Sequence, residues 1–186
     1  MTTYRDGTYV AFHAKGTTDP TQSDMRYFQI MKAWRELSTI SFTFVDSHDK
    51  VAAVRDTSKR ETLRRSLVTR LKNSKNLVLI TSADTKNDTD WVPFEITYAI
   101  DECGLPLIVA YTDYTDRRIT NPASLSGYWP DALAKRISDQ TAHAIHIPFN
   151  AAPIVDAIGQ FKPGKYPPGG GLGWYKESAY QSWGIG

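Results

Sequence analysis

The segment Asp90-Trp91-Val92-Pro93-Phe94-Glu95-Ile96 follows the apolar run Leu77-Val78-Leu79-Ile80 across a polar stretch, residues 81–89. That order reads as a strand, a loop and a helix carrying a carboxylate in its first turns. Ligands of open α/β sheets gather beyond the C-terminal ends of the strands, so Glu95 is placed where a carboxylate can act on a bound molecule. Trp91, one turn earlier, offers a flat apolar surface to a ring or a ribose. Two more positions close strands: His13 follows Tyr9-Val10-Ala11-Phe12, and Asp46 follows Phe42-Thr43-Phe44-Val45. In a parallel sheet these ends share one edge, where Phe12 and Trp91 would bracket a planar ring by stacking. The chemistry on offer is acid/base or ion-pairing work. Plainer explanations compete with it. A first-turn glutamate is favoured by the helix dipole alone, and spacing leaves that explanation of Glu95 ahead; Asp46 is equally well a turn or capping residue.

Other constellations carry less. The first strand is followed by neither G-x-x-x-x-G-K-[ST] nor G-x-G-x-x-G, and Gly169-Gly170-Gly171 lies far from any strand-to-helix turn, which argues against a P-loop or dinucleotide fingerprint. His143 and His146 are three apart in a predicted strand, so their side chains point to opposite faces and do not suit one metal ion. Cys103 sits near a helix C-terminus, where the dipole disfavours a thiolate; a structural cysteine is the expectation. Lys59, Arg60, Arg64, Arg65, Arg70, Lys72 and Lys75 make a basic helix, read as a solvated face opposite a leucine stripe rather than a nucleic-acid surface.

The elements that must position these residues alternate. Strands are predicted at 8–13, 41–45, 77–81, 105–111 and 142–147, the third apolar throughout as a strand covered on both faces should be. Helices are predicted at 23–37, 61–74, from Asp90 to a stop at Gly104, 130–139 and 150–161, with Asp90 as the cap of the third. Strands alternating with helices imply a parallel sheet covered on both faces, and five such units fit a flavodoxin-like layout. Residues 1–161 are read as this domain. Residues 162–186, rich in Gly, Pro and aromatics, are read as a tail that packs on the domain or on a neighbour, because its Tyr and Trp side chains are costly to expose together.

The chain has 186 residues, 41% hydrophobic and 23% charged, with a formal net charge of +2. These values suit one globular domain and give no electrostatic reason to expect nucleic acid or a membrane surface. A single cysteine excludes an internal disulfide and suits the cytoplasm. No signal peptide is read at the N-terminus, and no stretch approaches the ~18 apolar residues of a membrane span.

At these residues the chain resembles TIR-like domains of the small prokaryotic kind, close to the stand-alone TIR proteins of Thoeris antiphage systems. The resemblance covers about residues 8–160. It rests on Tyr9-Val10-Ala11-Phe12-His13, on Phe44-Val45-Asp46-Ser47, on Leu77-Val78-Leu79-Ile80-Thr81, on Leu105-Pro106-Leu107-Ile108-Val109 and, most specifically, on Thr89-Asp90-Trp91-Val92-Pro93-Phe94-Glu95-Ile96 with Ala99. It implies a flavodoxin-like fold and, in catalytic members, cleavage of the nicotinamide–ribose bond of NAD, with NAD as substrate and no resident cofactor or metal. Glu95 matches the catalytic carboxylate; Phe12, His13, Asp46, Ser47 and Trp91 match the walls of the substrate pocket. Ala11 stands where the family often has Ser. The product would be a cyclic ADP-ribose or an ADP-ribose conjugate that activates a separate effector protein. A phage-derived trigger and a homo-oligomer complete the expected partners. Two rivals stand beside this reading: a non-catalytic TIR-like adaptor working through protein contacts at residues 48–58 and adjacent helices, and an enzyme like the nucleotide 2-deoxyribosyltransferases.

Overall fold

The computed structural model describes residues 5–15, 19, 21–37, 44–45 and 57–186. Asp46, Ser47 and most of the proposed adaptor loop, residues 48–58, lie outside the described residues. The sheet contains β1 (Gly7–Ala11), β2 (Phe44–Val45), β3 (Ser74–Thr81), β4 (Leu107–Tyr111) and β5 (Ala144–Pro148). It is five-stranded in the order β2-β1-β3-β4-β5, and every pair is parallel. Parallel neighbours need crossovers, and helices supply them: α1 (Met25–Leu37), α2 (Thr57–Lys72), α3 (Trp91–Thr97), α4 (Asp131–Ser138) and α5 (Ala151–Gln160). The flavodoxin-like expectation from the alternating pattern is met.

Side chains alternate across a strand, so each strand feeds two cores. Tyr9 and Ala11 join Leu77, Leu79, Leu107 and Val109 under α2, α3 and α4, where Leu63, Leu67, Leu71, Val92, Ile96 and Leu133 close the layer. Val10 and Phe12 join Val78, Ile80, Ile108 and Ile145 on the other face, covered by Met25, Phe28 and Met31 of α1 and by Ile154 and Ile158 of α5. The register sets Tyr9 beside Leu77, Leu77 beside Leu107 and Leu107 beside Ala144. Asn76 is a fully buried polar side chain of β3: it accepts a hydrogen bond from Thr8 Oγ1 at 2.8 Å and donates to the Ile158 and Phe161 carbonyls at 3.1 and 2.9 Å. It thereby satisfies carbonyls at the end of α5, which helix termini otherwise leave open.

Some boundaries differ from the sequence reading. Helix α2 starts before the predicted 61, and β3 starts at Ser74, before the predicted 77. Asp90 does not cap α3 with its side chain. Its carboxylate is engaged by Arg60, while Asp88 Oδ1 accepts from the Asp90 and Val92 amides at 2.9 and 3.4 Å. Helix α3 passes into a π-helical turn, Tyr98–Glu102, and ends at Gly104, whose φ of +61° is the left-handed conformation expected of a glycine at that place.

Residues 162–186 lie along the β5 edge. Gly173 bridges to Ile145: His146 N donates to Gly173 O at 2.9 Å and Gly173 N to Ala144 O at 3.0 Å. A short helix, α6 (Glu177–Ser182), buries Tyr180 completely, and the Tyr180 hydroxyl reaches the Ile119 carbonyl at 3.3 Å. Arg118 fastens the end of the chain through Glu177 at 2.7 Å and the Ile185 carbonyl at 3.0 Å. The aromatic-rich segment therefore packs on its own domain, with Trp174 left half exposed. Among the described residues no helix is long and apolar enough to cross a membrane.

Candidate active site at the third crossover

Helix α3 leaves the C-terminal edge of the sheet and runs back beneath it, which carries Glu95 one turn below the rim. Its side chain enters the layer between the sheet and the α2–α4 face and is fully buried. There the Tyr9 hydroxyl donates to Glu95 Oε1. A carboxylate in an apolar layer is costly unless it is hydrogen-bonded, and Tyr9, from the middle of β1, provides such a bond. Burial, the facing Glu95 and their shared hydrogen bond all raise the Tyr9 hydroxyl well above its ordinary pKa, with Arg70 at the end of α2 pulling the other way. The Tyr9 hydroxyl thus keeps its proton and remains a donor.

Trp91 lies at the rim above Glu95, largely buried. Phe94 meets its ring edge to face at 6.3 Å, and the Arg60 guanidinium lies over it at 4.8 Å. Arg64 makes the same contact with Phe94 at 5.0 Å. Arg60 is held by Asp90, one of its two contacts measuring 2.8 Å. The basic helix is thus partly spent on the aromatic face of α3. The buried indole Nε1 of Trp91 has no hydrogen-bond partner, a condition that costs about 1–3 kcal/mol and that an acceptor on a ligand would relieve.

His13 reaches Asp88 Oδ2 at 3.0 Å, joining the end of β1 to the loop before α3. Beside it, Asp24 accepts from Ser82 and Thr85 hydroxyls at 2.9 and 3.1 Å. Burial holds the Asp24 carboxyl above the ordinary carboxylate range despite those donors. Lys15 pairs with Asp84 farther out. The strand-end edge is therefore polar and internally connected, with Trp91 and Glu95 beneath it.

Phe12 is placed elsewhere than predicted. It is fully buried in the core on the opposite face of the sheet, with its ring stacked on Phe28 at 5.3 Å. Alternation along β1 turns Phe12 away from the face that holds Glu95, so it does not bracket a ring with Trp91. Tyr9 and Ala11 are the residues of this strand that share the Glu95 layer. The sequence reading missed Tyr9, Asp88 and Arg60. Tyr9 was legible only as a residue of the first strand two positions from Ala11, and so on the same face. Among the described residues no cluster of His, Cys, Asp and Glu is arranged to hold a metal ion.

His143, just before β5, His146 within it and the cysteine serve packing. His143 stacks on Tyr166 at 4.1 Å. His146 is buried between Tyr111 and the Gly171 carbonyl, at 2.7 and 2.8 Å. Burial raises the Cys103 thiol above its ordinary pKa, a different cause from the helix-end dipole on which the sequence reading relied.

A parallel β2-β1-β3-β4-β5 sheet, with helices on both faces and a Trp–Glu helix leaving its third strand, is the architecture of a TIR-like domain. The chain matches the family of the Thoeris protein ThsB, TIR-like domain, over residues 9–117, and it belongs to that family. It is accordingly a TIR-like protein of Thoeris antiphage defence. The matched region holds β1 from Tyr9 onward, β3, α3 and β4, and so both Tyr9 and Glu95.

Proposed function

We propose that this chain cleaves the bond between nicotinamide and ribose in NAD, with Glu95 as the catalytic carboxylate. The observation that carries the reading is a fully buried glutamate on the third crossover, beside a tryptophan whose indole N–H lacks an acceptor. Buried carboxylates are expensive, and a fold that keeps one next to an unsatisfied donor marks a candidate site. The chemistry asks for little more. Nicotinamide leaves NAD as a neutral molecule when the C1′–N bond breaks, so no general acid is needed. The positive charge that develops on the ribose faces the carboxylate, as in glycosidases. An internal nucleophile of the ADP-ribose then bonds to C1′ and loses its proton, closing a cyclic ADP-ribose messenger; transfer to a separate acceptor gives an ADP-ribose conjugate instead.

His13, Asp46, Ser47 and Trp91 are assigned to substrate binding in this reading, and NAD is substrate rather than cofactor. The messenger acts on a separate effector protein in the cytoplasm, infection supplies a phage-derived trigger, and self-association is a further expected partner state. The closed position of Glu95 suits a protein at rest before that trigger. It equally favours a second reading, a non-catalytic adaptor in which the buried Glu95 is structural.

The deciding measurement is the NAD content of infected cells that carry the chain with its effector, wild type against Glu95→Gln, with chromatography of the nucleotide products. The enzymatic reading expects NAD to fall and a new ADP-ribose species to rise in the wild type only. Protection from phage with unchanged NAD in both strains would establish the adaptor.

A further inference from the structure

The Tyr9–Glu95 contact joins residues far apart in sequence, the middle of the second-from-edge strand to the first turns of α3. Both partners are fully buried, and the contact lies within the matched region. Tyr9 sits between the apolar Leu77 on β3 and the short β2, and its hydroxyl reaches a layer that is apolar apart from Glu95 and the charge of Arg70. A phenylalanine would fill the same space. What the hydroxyl adds is one hydrogen bond to one carboxylate oxygen. Glu95 held this way does not face solvent, and an NAD ribose cannot reach it.

We propose that Tyr9 is the positioning residue of Glu95: its hydroxyl latches the carboxylate inside the closed layer, and the site opens when that hydrogen bond is released. The proposal rests on the enzymatic reading of Glu95 for its consequence, and on the contact alone for its structural part. A hydrogen bond to an ionised group is stronger than one between neutral groups. Losing it in a dry layer penalises the buried carboxylate, and the penalty is relieved if α3 moves so that Glu95 meets water. The latch thus couples the first turns of α3, Trp91 included, to one hydroxyl on β1.

The test is hydrogen–deuterium exchange of the purified full chain, followed on peptides covering residues 91–97. Tyr9→Phe is expected to speed exchange there about tenfold, the effect of losing one charge-assisted hydrogen bond, while α5 and β4 remain as protected as in the wild type. Glu95→Asp keeps the charge but shortens the side chain by one methylene, and it is expected to produce the same local loosening; it serves if Tyr9→Phe does not fold. Wild-type protection over residues 91–97 in whichever of these variants folds overturns the latch, whatever the chain does to NAD. In uninfected cells Tyr9→Phe is further expected to lower NAD, and the double variant with Glu95→Gln to restore it. Faster exchange with NAD unaffected at rest and on infection would leave the latch standing and remove the enzymatic reading instead.

Discussion

Acidification should weaken this protein through one histidine, and the sign and size follow from its contacts. His146 is fully buried, and its neighbours are neutral. Its Nε2 reaches the Gly171 carbonyl at 2.8 Å, its Nδ1 lies 2.7 Å from the Tyr111 hydroxyl, and Trp129 Nε1 donates to that hydroxyl at 2.7 Å. A carbonyl can only accept, so Nε2 carries the proton and Nδ1 accepts from Tyr111. The chain of donors Trp129, Tyr111, His146 is complete with the imidazole neutral, and a second ring proton would compete with the Tyr111 hydroxyl proton. Burial accordingly lowers the His146 pKa from 6.5 to about 4, against the opposing pull of the Gly171 carbonyl.

The folded pKa lies below the unfolded one, so the unfolded chain binds more protons between the two values. Stability is therefore full above about pH 6.5 and falls as the pH drops from there toward 4, with about 2 kcal/mol lost by pH 5 and about 3 kcal/mol in all. The loss at pH 5 corresponds to a melting temperature lower by roughly 4–8 °C for a chain of this size. The assay is urea or thermal unfolding at pH 7.5 and pH 5, comparing wild type with His146→Gln, which keeps an amide in the site but does not titrate. The wild type is expected to lose about 2 kcal/mol more than the variant over that interval. Equal losses in the two proteins would refute the reasoning, because His146 would then not be the group that takes up the proton.

Phe12→Ala should behave as a core truncation, lowering stability by about 3–5 kcal/mol, and in whatever activity assay applies it should change the amount of folded protein rather than the apparent KM for NAD; an elevated KM at unchanged stability would return Phe12 to the substrate pocket. Gly173→Ala should free the C-terminal segment, since a Cβ there would meet the Pro168 and Ala144 carbonyl oxygens at 2.6 and 2.8 Å; a cost of about 1–3 kcal/mol and cleavage within residues 162–186 under limited proteolysis are expected, and wild-type resistance would refute the fit.

The elements were legible because they are local. Apolar runs marked the strands, the leucine stripe marked α2, and Gly104 marked the end of the third helix through a backbone conformation that glycine adopts easily. Alternation of strands and helices was sufficient for the parallel sheet, because parallel neighbours require crossovers. The position of Glu95 after the third strand was equally readable. Its capping arrangement was not: the sequence pointed to Asp90, but Arg60, on another helix, engages that carboxylate, and Asp88 accepts from the Asp90 and Val92 amides instead.

By itself, then, the sequence determined the order of elements, the flavodoxin-like class and the candidacy of Glu95, all of which depend on periodicity and on neighbours along the chain. The tertiary structure decided what each face of β1 meets. Period-two alternation separates Tyr9 from Phe12, but only the path of the crossovers puts α3 over the Tyr9 face and α1 over the Phe12 face. That assignment removed Phe12 from the site, gave Glu95 a hydroxyl partner, and laid the last residues along β5 so that the Gly171 carbonyl fixes the proton on His146. Each of these contacts joins segments distant in the chain, and such contacts exist only once the sheet has brought them together.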